Sequence, residues 1–386
     1  MKIIYFLPNL GNGGAEELLA DLCYEMSNMH DITLYLTYKH PGSEARLNRL
    51  GNKVKVKYLM SHEINKLSKT GLFFGAITYL FSPILSLYIF LREKLWTFDI
   101  IHTNLTQPSL YMVFFKIISK IINSKSIYVQ TSHSNYALLE GFSKYINILS
   151  WYFNDVFIYE LMENDIVNFK KFIPESKIHF IPFGYADNNT PDRDYSLIPE
   201  LNNRDVSLFK IFMTITRVRF SDKKVDVMLR AMYEYKKINR DFVFIIGGDG
   251  EDMREAKALV LDLELEDNVI FLGFVNNVSE LSVLADAYLV AVVGEDSGVS
   301  GMQAISNNIA LVGVQTLDDF EITDGIFFGN TPKKLAAQLL KLDDSPIKIE
   351  YLETINKIAE RNYKNAKKFT ERHEILYKSF VKVKSH

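Results

Sequence analysis

The amino-acid sequence predicts an α/β protein of two parallel-sheet domains, and three observations predict it. Short β-rich runs alternate with helical stretches in two successive series, the pattern of parallel strands joined by helical crossovers. A polar, Pro-containing stretch, Ala186–Asn203, lies between the series and reads as a linker. The chain has 386 residues, which suits two domains at about 100–200 residues each.

The elements follow in order. KIIYFLP is a short apolar run broken by Gly11-Asn12-Gly13-Gly14. AEELLADLCYEM has helical spacing, with Leu18, Leu19, Leu22 and Met26 on one side. DITLYLTY is a strand, FDIIHTN and KSIYVQTSH are strands ending in polar clusters, and DVFIYE and KIHFIPFGY repeat that pattern. After the linker come the strand FKIFMTIT, the helix VDVMLRAMYEYKKI and DFVFIIGGDGE, a strand entering a glycine turn. NVIFLGFV, DAYLVAVVG and ALVGVQ are further strands. The stretch from Glu350 to His386 is helical and charged, with apolar Ile358, Phe369, Ile375 and Phe380. The expected domains are 1–185 and 186–369, with a helix at about 370–386 returning to the first. Ligands of open α/β sheets bind beyond the carboxyl ends of the strands, so two such domains are expected to face a shared central cleft.

Composition narrows the function. Hydrophobic residues make up 48% and charged residues 24%, which excludes a disordered chain. The single cysteine, Cys23, excludes an intramolecular disulfide framework and a cysteine-based zinc cluster, and suits a reducing compartment. MKIIYFLPNLGNGG lacks a signal-peptide pattern, so a cytoplasmic protein is expected. Net charge is -3, but residues 1–185 carry 18 Lys+Arg against 15 Asp+Glu. Between Lys39 and Lys125 the count is 13 against 4. No nucleic-acid motif accompanies that excess, and an anionic membrane surface is the better reading.

Thr70–Leu91 holds 22 residues without a charge. Pro83, Ser82, Ser86, Tyr79 and Tyr88 interrupt it, and Lys66, Lys69, Arg92 and Lys94 flank it on both sides. Core helices are therefore favoured over a surface dipping into one leaflet, and both over a membrane span. SLYMVFFKIISKIINSKS, with Lys116 and Lys120 one turn apart, has the pattern of a basic amphipathic helix or of an ordinary helix with one solvated face.

Four segments are candidates for chemistry. Gly11–Glu16 opens a helix after the first strand, where backbone amides attract anions; Glu16 stands where a dinucleotide fingerprint needs its third glycine. Thr216-Arg217-Val-Arg219-Phe-Ser-Asp-Lys223-Lys224 puts four cations at a strand end, which suits a diphosphate. Gly247-Gly248-Asp249-Gly250-Glu251 allows a sharp turn near a ligand. Val293–Ala304 places Glu295 and Gln303 eight residues apart around a glycine-rich helix start with Ser297 and Gly298. Each also has a plain reading as a tight turn, a solvated loop or a capped helix. His102 and His133 end first-domain strands; His102 reads as a structural hydrogen-bonder and His133 as a candidate. No Ser-His-Asp set or metal triad emerges.

Taken in order, GGAE, FDIIHTN, VQTSHSN, KIHFIPFG, TRVRFSDKKVDVML, IIGGDGE and NVIFLGFV…LADAYLV resemble the family-four retaining glycosyltransferases of bacterial polysaccharide and lipopolysaccharide synthesis. The resemblance covers about residues 1–25 and 99–315. It implies the GT-B fold of two Rossmann-like domains, the first binding acceptor and the second the nucleotide-sugar donor. It also implies retaining transfer of a hexose-type sugar from a UDP- or GDP-sugar, without metal or cofactor, to a lipid-linked or oligosaccharide acceptor at the cytoplasmic face of the inner membrane. Arg217 and Lys223 would then hold the diphosphate, Glu295 the donor sugar and Gln303 the ribose, with His133 near the reacting sugar. Gly13, Gly14, Gly248, Asp249, Gly250, Ser297, Gly298 and Val299 would line the donor site.

The chain departs from the family pattern at Phe183, Thr216, Lys224, Asp296 and Gln303. Gln303 replaces a glutamate, and losing one charge-assisted bond costs roughly 1–2 kcal/mol, about tenfold in binding. The alternative implied is a weakened or inactive nucleotide-sugar-binding subunit. A nucleotide-sugar epimerase and a membrane-bound interaction protein are remoter alternatives.

Overall fold

The computed structural model describes all residues except 12, 64–75, 134–135, 137–138, 140, 161–164, 183, 185–191, 203, 276–277, 293–297, 316–326, 363–365 and 385–386. The chain divides into two compact units, Met1–Gly184 with Ala366–His386, and Tyr185–Asn365.

The first unit contains the parallel strands β1 (Lys2–Leu7), β2 (Asp31–Lys39), β3 (Lys55–Glu63), β4 (Ile100–Asn104), β5 (Ile127–Ser132), β6 (Val156–Tyr159) and β7 (Ile178–Phe180), in the order β3-β2-β1-β4-β5-β6-β7. Ile3 to Leu7 are all buried, because a parallel sheet is covered on both faces and its central strands are apolar throughout. β3 is absent from the strands expected above. It alternates exposed Lys55 and Lys57 with half-buried Val56 and Tyr58, the charged pattern of an edge strand.

The second unit contains β8 (Lys210–Ile215), β9 (Phe242–Gly247), β10 (Val269–Gly273), β11 (Ala287–Val292), β12 (Ala310–Gln315) and the short β13 (Phe327–Gly329), in the order β10-β9-β8-β11-β12-β13. Strand order reverses between β1 and β4 in one sheet and between β8 and β11 in the other, and such a reversal opens a crevice at the strand ends. The unit's core is one large cluster in which Ile198 and Leu201 are fully buried. The latter half of the expected linker is therefore a folded part of the second unit.

The helix Ala366–Lys384 belongs to the first unit and packs on the helix Gly14–Met26. Phe369, His373 and Tyr377 are buried, spaced by four as one helical face requires. Ile375, one of the apolar residues noted in this stretch, is 68% exposed, since it falls on the opposite face.

The described part of the uncharged run is helical over 76–80 and Ser82–Arg92. Pro83 sits in the first turn of the latter helix, where its missing N–H costs no helical bond. Ile89 and Phe90 enter the core, but so do Ser82 and Ser86, while Leu80, Ile84 and Leu87 face outward. The expectation of core helices thus holds for only part of the run. Among the described residues, no helix is long and apolar enough to cross a membrane.

Candidate functional site

In the second unit, two candidate segments interlock at the carboxyl ends of β8 and β9. Gly248 has φ +119°, and a Cβ there would collide with the Thr216 carbonyl oxygen. A Cβ on Gly250 would collide with the Val218 carbonyl oxygen. Glycine at both positions lets the backbones touch. Thr216 N donates to Gly247 O at 2.9 Å, Val218 N to Asp249 O at 3.1 Å and Asp252 N to Val218 O at 3.2 Å. Phe220 N donates to Asp252 Oδ2 at 2.7 Å. The glycine turn thereby fixes the backbone path of the basic loop.

That loop separates its cations by role. Arg219 Nε lies 2.7 Å from Glu251 Oε1 and 3.7 Å from Asp222 Oδ1, so its charge is matched. Arg217 is exposed and Lys223 half-buried, and neither has an ion pair among the described residues. Lys224 has φ +51° and precedes the helix Val225–Lys236. This is a left-handed conformation that favours glycine, which is why a glycine is usual in the motif this segment resembles. Asp249 is exposed, and its Oδ1 accepts from Gly250 N at 2.8 Å.

Tyr288, a residue the sequence analysis passed over, organises the crevice between β8 and β11. Among the described residues these strands pair at Ala287 with Phe212 and Tyr288 with Met213. Beyond that, the fully buried Tyr288 hydroxyl accepts from Ile215 N at 2.7 Å and donates toward Ile215 O at 3.2 Å. It also meets the Ser300 side chain in the helix Gly298–Ser306. One phenol therefore joins the strand end carrying Arg217 to the helix start carrying Gly298 and Val299. Gln303 lies in the next turn of that helix and is half-buried. Glu295, Asp296 and Ser297 lie outside the described residues, as does Phe183. Only the interruption of the apolar run DAYLVAVV by a tyrosine hinted at this role.

In the first unit, the ends of β4, β5 and β6 hold a buried polar cluster. His133 Nδ1 lies 2.7 Å from Glu160 Oε2, and its Nε2 lies 2.9 Å from Asn104 Oδ1. Burial opposes a charge on this ring, but the Glu160 carboxylate outweighs burial and raises its pKa above the usual histidine value. His102 is also fully buried, with Nδ1 at 2.6 Å from Tyr377 Oη and Nε2 at 2.7 Å from Thr131 Oγ1. Burial first, then the neighbouring His373 and His133, push it well below the usual value and hold it neutral. His102 is thus a structural hydrogen-bonder. Both ring nitrogens of His133 are engaged within the protein in this conformation. Glu160 and Asn104 were missed as partners, though each is the polar residue that closes a buried strand.

Gly13 and Gly14 stand at the start of the helix Gly14–Met26, where Gly13 has extended backbone at φ -92° and ψ 161°. The Glu16 carboxylate folds back over Gly13, placing an acid at the helix start beside the expected anion position.

Comparison with known proteins follows this geometry. Residues 210–344 match the family model described as Glycosyl transferases group 1. A Campylobacter jejuni α-1,4-N-acetyl-D-galactosaminyltransferase, whose named acceptor is a GalNAc-GalNAc-diNAcBac-PP-undecaprenol, is 24% identical over 282 residues, covering 73% of this chain and 70% of its own. The Escherichia coli O-antigen biosynthesis glycosyltransferase WclY is 24% identical over 320 residues, covering 81% and 79%. Among solved structures, HepE from Anabaena, crystallised with UDP and glucose, superposes with a TM-score of 0.75 at 16% identity, covering 97% of this chain and 99% of its own. WaaG, a glycosyltransferase of lipopolysaccharide biosynthesis, superposes at 0.63 and 15%, covering 96% and 98%. The unit with the interlocked strand-end loops carries the group 1 glycosyltransferase match, and the whole chain has the GT-B fold and is similar to bacterial O-antigen and lipopolysaccharide glycosyltransferases.

Proposed function

We propose that this glycosyltransferase moves a hexose-type sugar from a UDP- or GDP-sugar to a lipid-linked saccharide, with retention of configuration and without a metal, in the assembly of a bacterial surface polysaccharide such as O-antigen. The observation that carries the reading is the pair Arg217 and Lys223, cations without an ion pair among the described residues, beside the turn Gly247–Glu251. In the reaction the bond between the sugar C1 and the β-phosphate oxygen breaks, and negative charge collects on the leaving diphosphate. Preorganised cations stabilise that charge more than the ground state, which lowers the barrier. The acceptor oxygen attacks C1 on the face the diphosphate leaves, and its proton passes to a departing phosphate oxygen. This course needs no enzyme nucleophile. By the family resemblance Gln303 would contact the ribose, Glu295 the donor sugar, and His133 would serve the reacting sugar.

The UDP complexes of HepE support a uridine donor, and the acceptor in the name of the C. jejuni enzyme supports an acceptor on a polyprenyl diphosphate. Such an acceptor places the enzyme at the cytoplasmic face of the inner membrane. The test is thermal unfolding with UDP, GDP, ADP, dTDP and CMP. A ligand at about 100 times its Kd adds ~2.7 kcal/mol to stability. A shift with UDP or GDP that Arg217→Ala removes supports the reading, and no shift with any nucleotide sinks it. Nucleotide binding without sugar transfer to any lipid-linked acceptor would mark a binding subunit instead.

A further inference from the structure

We infer that one face of the first unit is a membrane-docking surface, formed by the outward sides of Ser82–Arg92 (with the turn before it) and of Gly141–Phe153, and that its occupant is an anionic lipid bilayer. The inference deepens the lipid-linked-acceptor reading and rests on it for its purpose, though not for its geometry.

The helix Ser82–Arg92 is amphipathic the wrong way round for water. Ser86 is fully buried and Ser82 nearly so, whereas Leu80, Phe81, Ile84 and Leu87 are 75%, 45%, 64% and 46% exposed. A helix packed on a core in water turns its leucines inward and its serines outward. The helix Gly141–Phe153 repeats the arrangement. Ser150 and Asn147 are buried, and Phe142 and Tyr145 are 72% and 73% exposed. The helix Thr106–Ile121 lies between and touches both. At one end the segment just before Ser82–Arg92 meets Gly141–Phe153 directly, with the Tyr79 and Phe142 rings 6.5 Å apart. The exposed apolar side chains therefore form one face, which soluble proteins seldom leave open.

Charge identifies the occupant. The three helices carry Arg92, Lys116, Lys120 and Lys144 and no Asp or Glu. Lys116 lies 2.6 Å from Asp155, outside the helices, so one of the two lysines singled out in the sequence is neutralised. Lys94, Lys120 and Lys125 are exposed. The helices of this face carry no acid, and Lys94, Lys120 and Lys125 beside them have no ion pair among the described residues, which matches a surface of negative charge. Trp96 and Tyr152 are also exposed, at 41% and 66%, and such rings favour the headgroup level of a bilayer. Among the described residues no helix can span a bilayer, so the face lies in the interface plane.

The experiment is flotation with vesicles of phosphatidylcholine, with and without phosphatidylglycerol, using the full chain and the double variant Ile84→Glu, Phe142→Glu. Wild type is expected to float with phosphatidylglycerol vesicles and less so at high salt. The double variant should bind roughly a hundredfold more weakly, about tenfold for each large side chain withdrawn. Trp151 is fully buried, so a blue shift of tryptophan emission on vesicle addition reports Trp96. Wild type that stays with free protein at both salt concentrations overturns the inference, as does a double variant that floats like wild type. A wild-type dimer that the double variant dissolves, with no flotation by either, assigns the face to a second copy and also overturns it. The nucleotide melting shift, measured on the same samples, reads the donor site separately. Flotation without a shift defeats the transferase reading alone, and a shift without flotation defeats the docking inference alone.

Discussion

His133 and Glu160 form a buried ion pair at the ends of adjacent strands, with Nδ1 and Oε2 2.7 Å apart and both side chains almost wholly shielded. The second ring nitrogen faces Asn104 Oδ1, so both nitrogens meet acceptors, the arrangement of an imidazolium. Because the folded pKa is raised above the unfolded value, the stabilisation is fully present below about pH 6.5 and is lost as pH rises through the folded pKa.

Glu160→Gln should therefore lower the His133 pKa and cost about 1–3 kcal/mol in acid, where the pair is charged. The difference between wild type and variant should shrink as pH rises. Urea unfolding of both proteins at about pH 6 and about pH 8, with an NMR titration of His133, checks this. A difference that is constant with pH would show that the pair is not ionic.

Tyr377 brings the helix Ala366–Lys384 to the first sheet by placing its hydroxyl 2.6 Å from His102 Nδ1 and 3.3 Å from Tyr5 Oη. Tyr377→Phe leaves the buried His102 nitrogen without that partner. The expected cost is about 1–3 kcal/mol of unfolding free energy, with the UDP-induced melting shift unchanged in size. Loss of the shift would contradict the assignment of nucleotide binding to the second unit.

Lys224 and Gly248 test the donor loops from opposite directions. Lys224→Gly relieves a left-handed residue and should stabilise by about 0.5–1 kcal/mol, after the entropy glycine adds to the unfolded chain. Gly248→Ala forces a Cβ against the Thr216 carbonyl in a positive-φ conformation and should destabilise by more than about 2 kcal/mol. Thermal unfolding ranks the three proteins, and an order other than Lys224→Gly, wild type, Gly248→Ala defeats the account of the interlock.

Gln303→Glu restores a carboxylate that can accept from both ribose hydroxyls. It should tighten binding of the cognate nucleotide about tenfold, read by isothermal titration calorimetry. An unchanged Kd would remove Gln303 from the ribose contact.

Arg217, without an ion pair among the described residues, gives a further contrast with its neighbour. Arg219→Ala breaks partly exposed ion pairs to Glu251 and Asp222 and should change stability by no more than about 1 kcal/mol while leaving nucleotide binding intact. Arg217→Ala should do the reverse, leaving stability intact and abolishing the nucleotide-induced melting shift.

Much of the fold is local and was legible. The apolar runs that became β1, β8 and β9, and the glycines of Gly247–Glu251, announce themselves through their immediate neighbours, because a buried parallel strand is apolar throughout and a sharp turn needs a residue without a Cβ. β3 escaped because its lysines are tolerated only at a sheet edge, and an edge is a property of the assembled sheet. The same division holds for the site. Arg217, Lys223 and His133 were visible as polar residues at strand ends. Glu160 and Tyr288 acquired roles only through partners far along the chain, His133 at 27 residues and Ile215 at 73. The helices Ser82–Arg92 and Gly141–Phe153 make the point most plainly. Their sequences determined that they are apolar, but which side faces out was decided by packing, which put serines against the core and left leucine, isoleucine and phenylalanine in contact with solvent. Periodicity records which residues share a face, whereas the surrounding elements select the face that is buried.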